Sequence, residues 1–218
     1  MKEIMSYQDI ITFIMEIMGT VAFAASGAMV GMEKKMDIFG VCVLGVVTAV
    51  GGGMIRDIVL GIIPPSVFQN STYALTAVVT SCIVFLVFYC KKELLEGNRR
   101  ITYDKIMLVM DSIGLGIFTV VGVNTGIYQG YFNQTFLLVF LGTITGVGGG
   151  LLRDMMAGVP PYIFVRHIYA CASIIGAITC VYIYRLFGTV PAMIISSAVI
   201  ILIRYLAVHY HWNLPRAQ

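Results

Sequence analysis

The segment Gly51-Gly52-Gly53-Met54-Ile55-Arg56-Asp57 occurs twice in this chain of 218 residues. The second copy is Gly148-Gly149-Gly150-Leu151-Leu152-Arg153-Asp154. When Leu44–Gly61 is compared with Leu141–Gly158, ten of the eighteen aligned positions are identical. Identity of this extent indicates that the chain contains two copies of one structural unit.

The composition around the two motifs is that of a membrane protein. Hydrophobic residues make up 59% of the chain and charged residues only 11%, whereas about 25% of the residues of a soluble domain are charged. The net charge of +3 is too small for a nucleic-acid-binding surface. Seven stretches are long and apolar enough to cross a bilayer as helices, namely Ile10–Met32, Ile38–Leu60, Thr72–Cys90, Ile106–Tyr128, Phe132–Ala157, Val165–Leu186 and Thr189–Val208. We therefore expect an all-α integral membrane domain.

The duplication also covers the spans that precede the motifs. Three residues of the first span recur in the fourth at a constant offset of 95, pairing Gly19, Phe23 and Gly27 with Gly114, Phe118 and Gly122. Because each unit has three spans, an odd number, the two copies must enter the membrane from opposite sides. The sequence thus predicts inverted repeats over residues 1–90 and 106–186, a cytoplasmic linker over 91–105, and a seventh helix and tail over 187–218. Inverted repeats are typical of transporters, whose binding site lies near the midplane.

The distribution of Lys and Arg predicts the orientation of the chain. Nine basic residues fall on the side of the first connection, namely Lys34, Lys35, Lys91, Lys92, Arg99, Arg100, Lys105, Arg166 and Arg216. Only Lys2 and Arg185 fall on the other side. Since basic residues concentrate on the cytoplasmic side, we expect the N-terminus outside and the C-terminus in the cytoplasm.

The glycine triplets predict a break in the second and fifth spans. Each glycine inside a helix costs about 1 kcal/mol relative to alanine, and a break would offer main-chain carbonyls to a cation. Close packing between helices is the alternative explanation for such small residues. Thr48 and Thr145, three residues before the triplets, could add hydroxyl oxygens to the pathway or could bond back to their own helix.

Four charged residues follow the triplets: Arg56, Asp57, Arg153 and Asp154. Charges at membrane depth are costly and are normally paired and functional, so we place them in the turn after each break. The inverted symmetry favours pairs of one motif with the other, and pairing within one turn is the alternative. These pairs either contact the ion or hold the bends.

Three further charged residues lie inside predicted spans. Glu16 and Asp111 are related by the 95-residue offset and lie either at the two mouths of a pathway or at helix interfaces. Arg204 lies near the inner end of the last span and is expected to extend towards the membrane surface.

The doubled motif in a chain of three, three and one helices resembles the prokaryotic trimeric intracellular cation (TRIC) channel family, which is also described as a glycine transporter domain family. The ending that runs from Arg204 to Trp212-Asn213-Leu214-Pro215 is similar to the tail of that family. The resemblance implies a homotrimer in a bacterial inner membrane with one pore per subunit, lined by the second and fifth helices and permeable to K⁺ and Na⁺. It also implies that both glycine triplets line the pore and that the Arg-Asp pairs lie beside it.

The leading functional hypothesis is therefore a passive monovalent cation channel in contact with membrane lipid, without a cofactor or a resident metal. The alternative is a carrier of glycine or another small zwitterion, since a half-helix N-terminus and freed carbonyls would suit such a substrate equally well. An enzyme is not expected, because the chain has no H-E-x-x-H, G-x-S-x-G or phosphate-loop motif.

Overall fold

A computed structural model describes residues 7–90, 99–165, 168–210 and 212. Within these residues the chain is entirely helical, and its helices are α1 (Tyr7–Glu33), α2 (Ile38–Val59), α3 (Ser66–Gln69), α4 (Thr72–Cys90), α5 (Arg99–Tyr128), α6 (Thr135–Met156), α7 (Tyr162–Val165), α8 (Tyr169–Phe187) and α9 (Thr189–His209). Seven of them are long and apolar enough to cross a membrane. The predicted all-α membrane fold with seven spanning helices is confirmed.

The helix boundaries agree with the predicted spans except at a few ends. The fourth spanning helix, α5, begins at Arg99 rather than at Ile106, so part of the predicted linker is helical. The sixth, α8, begins at Tyr169 rather than at Val165, which belongs to the short helix α7. Residues 91–98 of the linker, and Lys2, Arg166 and Arg216 of the charge comparison, lie outside the described residues.

The helices form two groups of three around a central crossing. Helices α1, α2 and α4 pack on one another, as do α5, α6 and α8, and α2 meets α6 between the groups while α1 meets α5. Helix α9 packs against α5 and α8 of the second group and makes a small contact with α1 of the first group. Large apolar side chains such as Phe39, Phe136 and Leu186 point outward, as suits a surface that faces lipid.

The prediction that α2 and α6 are broken at the glycine triplets is wrong. Both are continuous α-helices through the triplets, and both Arg-Asp pairs lie in the last turn of the helix instead of after a break. A Cβ on Gly52 would overlap the carbonyl oxygen of Thr145, and a Cβ on Gly149 would overlap that of Thr48. The glycines thus allow two backbones to touch, and this close packing offsets their poor helix propensity.

Each of these helices ends in the same way. The residue after the cap is a glycine with positive φ, Gly61 (69°) and Gly158 (65°), the conformation that commonly terminates helices. Asp57 Oδ2 then accepts a 2.8 Å hydrogen bond from the backbone of Ser66, and Asp154 Oδ2 accepts an equal one from Tyr162. Each aspartate therefore ties the end of a long helix to the first residue of a short one.

Candidate functional site: a polar cavity and two charged clusters

A cavity of about 350 Å³ opens between α1, α2, α4 and α5 at the end of the bundle where α1 begins. Its lining comes from these four long helices and from the α2–α4 connection, and its polar residues together with Gly53 are Glu16, Thr20, Gly53, Arg56, Asp57, Ser66, Gln69, Asn70, Tyr73 and Thr125. In a bundle of apolar helices, such a cavity is the natural place for a polar ligand or ion. The sequence had indicated only Glu16, Gly53, Arg56 and Asp57 of this lining.

The first charged cluster lies in the wall of this cavity and consists of Glu16, Arg56, Asp57 and Tyr73. Arg56 holds Asp57 with two bonds to Oδ1, 2.9 Å from Nε and 2.7 Å from Nη2. Tyr73 donates its hydroxyl to Glu16 Oε2. The cluster therefore presents two carboxylates and one guanidinium to the cavity.

The second charged cluster lies towards the other end of the bundle and consists of Ser26, Asp111, Arg153, Asp154 and Tyr169. Arg153 bonds to Asp154 Oδ1 from Nε at 2.8 Å, and its Nη1 lies 2.6 Å from both Asp111 Oδ1 and Ser26 Oγ. Arg153 is fully buried, at 0% exposure. A buried guanidinium requires charged partners, and Arg153 has two, Asp111 and Asp154.

The ion pairs form within one motif, not between the two. Arg56 pairs with Asp57 and Arg153 with Asp154, so the prediction that favoured Arg56 with Asp154 and Arg153 with Asp57 is wrong. The physical reason is that the two motifs lie at opposite ends of the crossing, where α2 and α6 end. Adjacent residues in the last turn of each helix satisfy each other instead.

The two threonines bond to their own helices. Thr48 Oγ1 donates to Leu44 O and Thr145 Oγ1 donates to Leu141 O, each at 2.6 Å. Both side chains are buried beside glycines of neighbouring helices, Thr48 at Gly27 of α1 and Thr145 at Gly122 of α5. The back-bonding alternative therefore describes both residues.

The sequence analysis misplaced one residue beside the second charged cluster, Arg204, and overlooked one member of the cluster, Tyr169. Arg204 is buried, at 1% exposure, and lies 4.7 Å from the centre of the Tyr169 ring, so the expectation that it extends to the membrane surface is wrong. Tyr169 was not singled out, although the dipeptide Tyr73-Ala74 recurs in the second repeat as Tyr169-Ala170. An internal repeat that preserves an aromatic hydroxyl next to charged residues was the available signal.

Comparison with known proteins identifies the family. A family model described as "Glycine transporter" matches residues 13–89 and again residues 108–185. The inner membrane protein YadS of Escherichia coli strain K12 is 40% identical, with 92% of this chain and 93% of that protein covered. A solved TRIC cation channel is 35% identical and superposes with a TM-score of 0.80, covering 94% of this chain and 97% of that one.

The chain belongs to the TRIC family. Another solved member, the TRIC trimeric intracellular cation channel orthologue from Rhodobacter sphaeroides, is 29% identical with a TM-score of 0.82 over 92% of this chain and 98% of that one. This family is one of membrane channels and not of enzymes. The seven apolar helices and the similarity to YadS, which is named an inner membrane protein, support a multi-pass location in a bacterial inner membrane.

Proposed function

We propose that the protein is a passive channel for monovalent cations, K⁺ and Na⁺, with a pathway inside each subunit along the crossing of α2 and α6. The observation that carries the proposal is the polar cavity, in which the first charged cluster is set into an otherwise apolar bundle. Because this wall has two carboxylates and one guanidinium, its net negative charge attracts cations, and the low-dielectric surroundings strengthen that attraction. TRIC relatives that are solved as cation channels support the same conclusion.

The composition of the cavity suits monovalent ions better than divalent ones. Ca²⁺ takes six to eight oxygen ligands, often from several carboxylates. Here Asp57 already accepts bonds from Arg56 and Ser66, and Glu16 accepts one from Tyr73. The remaining oxygens can attract a largely hydrated monovalent cation without holding it so tightly that it cannot leave.

The two glycine triplets have different roles within this pathway. Gly53 lines the cavity, and the nearest atom to a Cβ placed there is Arg56 Nη2 at 3.7 Å. Gly51, Gly52, Gly148 and Gly149 bring α2 and α6 together, so their crossing is the narrow part of the pathway. Gly150 leaves room for the second charged cluster, whose Tyr169 Oη lies 3.0 Å from a Cβ placed there. Thr48 and Thr145 bond back to their own helices at the crossing, and the two Arg-Asp pairs hold its ends.

We further propose the inverted-repeat architecture, with repeats over 1–90 and 106–186, the linker 91–105 in the cytoplasm, and 187–218 as an added helix and tail. The double match of one family model supports the duplication, and three spans per copy require inversion. The proposed orientation has the N-terminus outside and the C-terminus inside, from the charge distribution. A homotrimer is proposed because a relative with the same fold is named trimeric.

Recordings from purified protein in planar bilayers test the proposal. We expect K⁺ and Na⁺ currents that reverse at the cation equilibrium potential. The variant Glu16→Gln should lower the cation-to-anion permeability ratio several-fold, because the cavity then has one carboxylate for one guanidinium. Asp9→Asn is the matched control, since it removes the same charge from the exposed first turn of α1. Absence of currents, or equal effects of both variants, would contradict the proposal.

One observation favours a second candidate, a carrier for a small zwitterion such as glycine. Arg56 and Glu16 line the same cavity, so a guanidinium for a carboxylate and a carboxylate for an ammonium lie within one wall. The match to the glycine transporter family model points the same way. Labelled-glycine uptake by proteoliposomes, with saturation and counterflow, would favour this carrier over the channel.

A further inference from the structure

The two arginines of the repeated motif have different numbers of partners. Arg56 bonds only to Asp57 among the described residues. Arg153 bonds to Asp154 and reaches two further helices, where Nη1 lies 2.6 Å from Asp111 of α5 and 2.6 Å from Ser26 of α1. Arg153 therefore joins elements of both three-helix groups, whereas Arg56 stays within its own.

A single difference between the repeats accounts for part of this asymmetry. At the offset of 95 that relates Glu16 to Asp111 and Gly27 to Gly122, the counterpart of Ser26 is Val121. Ser26 supplies a hydroxyl that accepts from Arg153. Val121 lines the cavity near Arg56 and has no polar atom to offer. Arg153, the arginine that bonds to helices of both groups, is thus the one with a serine hydroxyl, that of Ser26, within reach.

The second charged cluster contains buried atoms whose hydrogen-bonding capacity is unused. Asp111 Oδ2, Arg153 Nη2 and Tyr169 Oη have no hydrogen-bond partner among the described residues. All three side chains converge on Gly150, where a Cβ would lie 3.0 Å from Tyr169 Oη, 3.7 Å from Arg153 Nη2 and 3.8 Å from Asp111 Oδ1. In the first cluster the corresponding Glu16 and Tyr73 are bonded to each other.

We propose that the contacts of Arg153 with Asp111 and Ser26 form a latch that closes the half of the pathway farther from the N-terminus. The latch opens when this half adopts the arrangement that the other half already has. Arg153 then pairs with Asp154 alone, and Asp111 accepts a hydrogen bond from the Tyr169 hydroxyl as Glu16 does from Tyr73. This inference rests on the proposed function, because the latch would regulate the pathway through the subunit.

The charges around the cluster are compatible with this exchange. When Arg153 withdraws, Asp111 needs another positive charge, since an isolated buried carboxylate is very costly. Arg204 lies on the Tyr169 ring, and its Nε and Nη1 have no partner in the described part of the chain. Arg204 thus supplies a positive charge against the ring of Tyr169, whose hydroxyl would donate to Asp111.

The latch is tested by comparing thiol accessibility at two equivalent positions. Val50 lines the cavity and Val147, its counterpart at the offset of 97, is 4% exposed. Each is changed to cysteine in a chain whose five native cysteines are replaced by alanine, and a charged thiol reagent is applied to both faces of permeabilised membranes. In the parent background we expect fast labelling of V50C and slow labelling of V147C.

Ser26→Ala should raise the labelling rate of V147C about tenfold, the factor expected when one hydrogen bond to a charged group is lost. The rate at V50C should stay unchanged, because the first half is already open. Ser26→Thr, which keeps the hydroxyl, should restore the parental rate, and Val121→Ala is the matched change in the other repeat and should have no effect at V147C. If Ser26→Ala folds poorly, Asp111→Asn provides the second test and should raise the same rate.

The outcomes separate the latch from the channel. Equal V147C rates in the parent and in both Ser26→Ala and Asp111→Asn would overturn the latch, and K⁺ currents in the same samples would leave the channel standing. A higher V147C rate without any currents would support the latch while contradicting the channel. A fall in the labelling rate of V50C that mirrors the rise at V147C would overturn the proposed latch. The two halves would then open in alternation, whereas the latch opens the second half while the first stays open.

Discussion

The two halves of the molecule carry the same motif in two different states. Each has a triple glycine, an Arg-Asp pair and an aspartate that receives a 2.8 Å bond from a short helix. In the half where α1 begins, Arg56 is 7% exposed beside an open cavity, whereas in the other half Arg153 is 0% exposed. The repeated sequence therefore specifies how α2 and α6 end, while the side chains that surround each end decide how far its arginine is buried.

The neighbours differ because the chain has one helix outside the repeats. Helix α9 packs against α5 and α8, and the described residues contain no equivalent helix on the first group. It places Arg204 against Tyr169, and Ser26 of α1 completes the set around Arg153. The asymmetry of an otherwise duplicated protein thus comes from residues that the duplication did not copy.

The largest expected effect concerns the crossing, where the two halves are alike. Gly52→Ala and Gly149→Ala should each abolish the folded protein, because the added Cβ would overlap a backbone carbonyl that cannot move aside. This cost exceeds the roughly 1–3 kcal/mol of ordinary overpacking. Fluorescence-detected size-exclusion chromatography measures the outcome. Unequal losses would show that the crossing is not symmetric.

Substitution of the two arginines should have the second-largest effect, and the loss of stability should differ between the halves. Arg153→Gln should destabilise the protein by about 3–5 kcal/mol, the cost of breaking a buried ion pair from one side. Arg56→Gln should cost clearly less, because Asp57 keeps its bond from Ser66 and faces the cavity. Thermal unfolding in detergent compares the two variants. A larger loss for Arg56→Gln would reverse the assignment of the open and closed halves.

The third glycines should also respond differently. Gly53→Ala should stabilise α2 by up to about 1 kcal/mol from helix propensity, since no atom lies closer than 3.7 Å to the new Cβ. Gly150→Ala should give no such gain, because Tyr169 Oη lies 3.0 Å from its Cβ and must move. The same thermal assay applies, with the parent protein as reference. Equal gains at both positions would argue against a tightly filled second cluster.

The smallest expected difference concerns the two tyrosines. Tyr73→Phe should cost about 1 kcal/mol or slightly more, because it removes the donor to Glu16. Tyr169→Phe should be close to neutral for stability, since its hydroxyl has no partner among the described residues. Melting temperatures of the two variants give the comparison. A clear destabilisation by Tyr169→Phe would mean that this hydroxyl is already bonded in the closed half.

Much of the fold was predictable because the membrane restricts what a sequence can do. Helices must span about 20 apolar residues, so hydropathy alone located the seven spans, with α5 and α8 differing at their starts. Several residues of the two charged clusters could be singled out for a related reason: a charge such as Glu16 or Arg153 is costly inside an apolar span and is normally paired. The doubled motif directed attention to both ends of the crossing.

The predicted helix breaks at the glycines and the predicted ion pairs were wrong because a sequence gives no distances between helices. Low helix propensity and close helix packing both favour glycine, and only the positions of the Thr48 and Thr145 carbonyls show that packing governs Gly149 and Gly52. Likewise, Arg56 could pair with either aspartate until the helix ends were located. Arg204 looked like a residue near the membrane surface because nothing local revealed Tyr169 next to it.

The amino-acid sequence by itself determined that this protein is a seven-helix membrane protein with a duplicated, charged motif, because burial of the helical backbone in lipid permits few other solutions. Only the tertiary structure decided that the triplets remain helical, that each Arg-Asp pair is local, and that Arg56 lines a cavity while Arg153 is fully buried. These features depend on which side chains of distant helices meet. Such contacts are set by three-dimensional packing and leave no periodic signal along the chain.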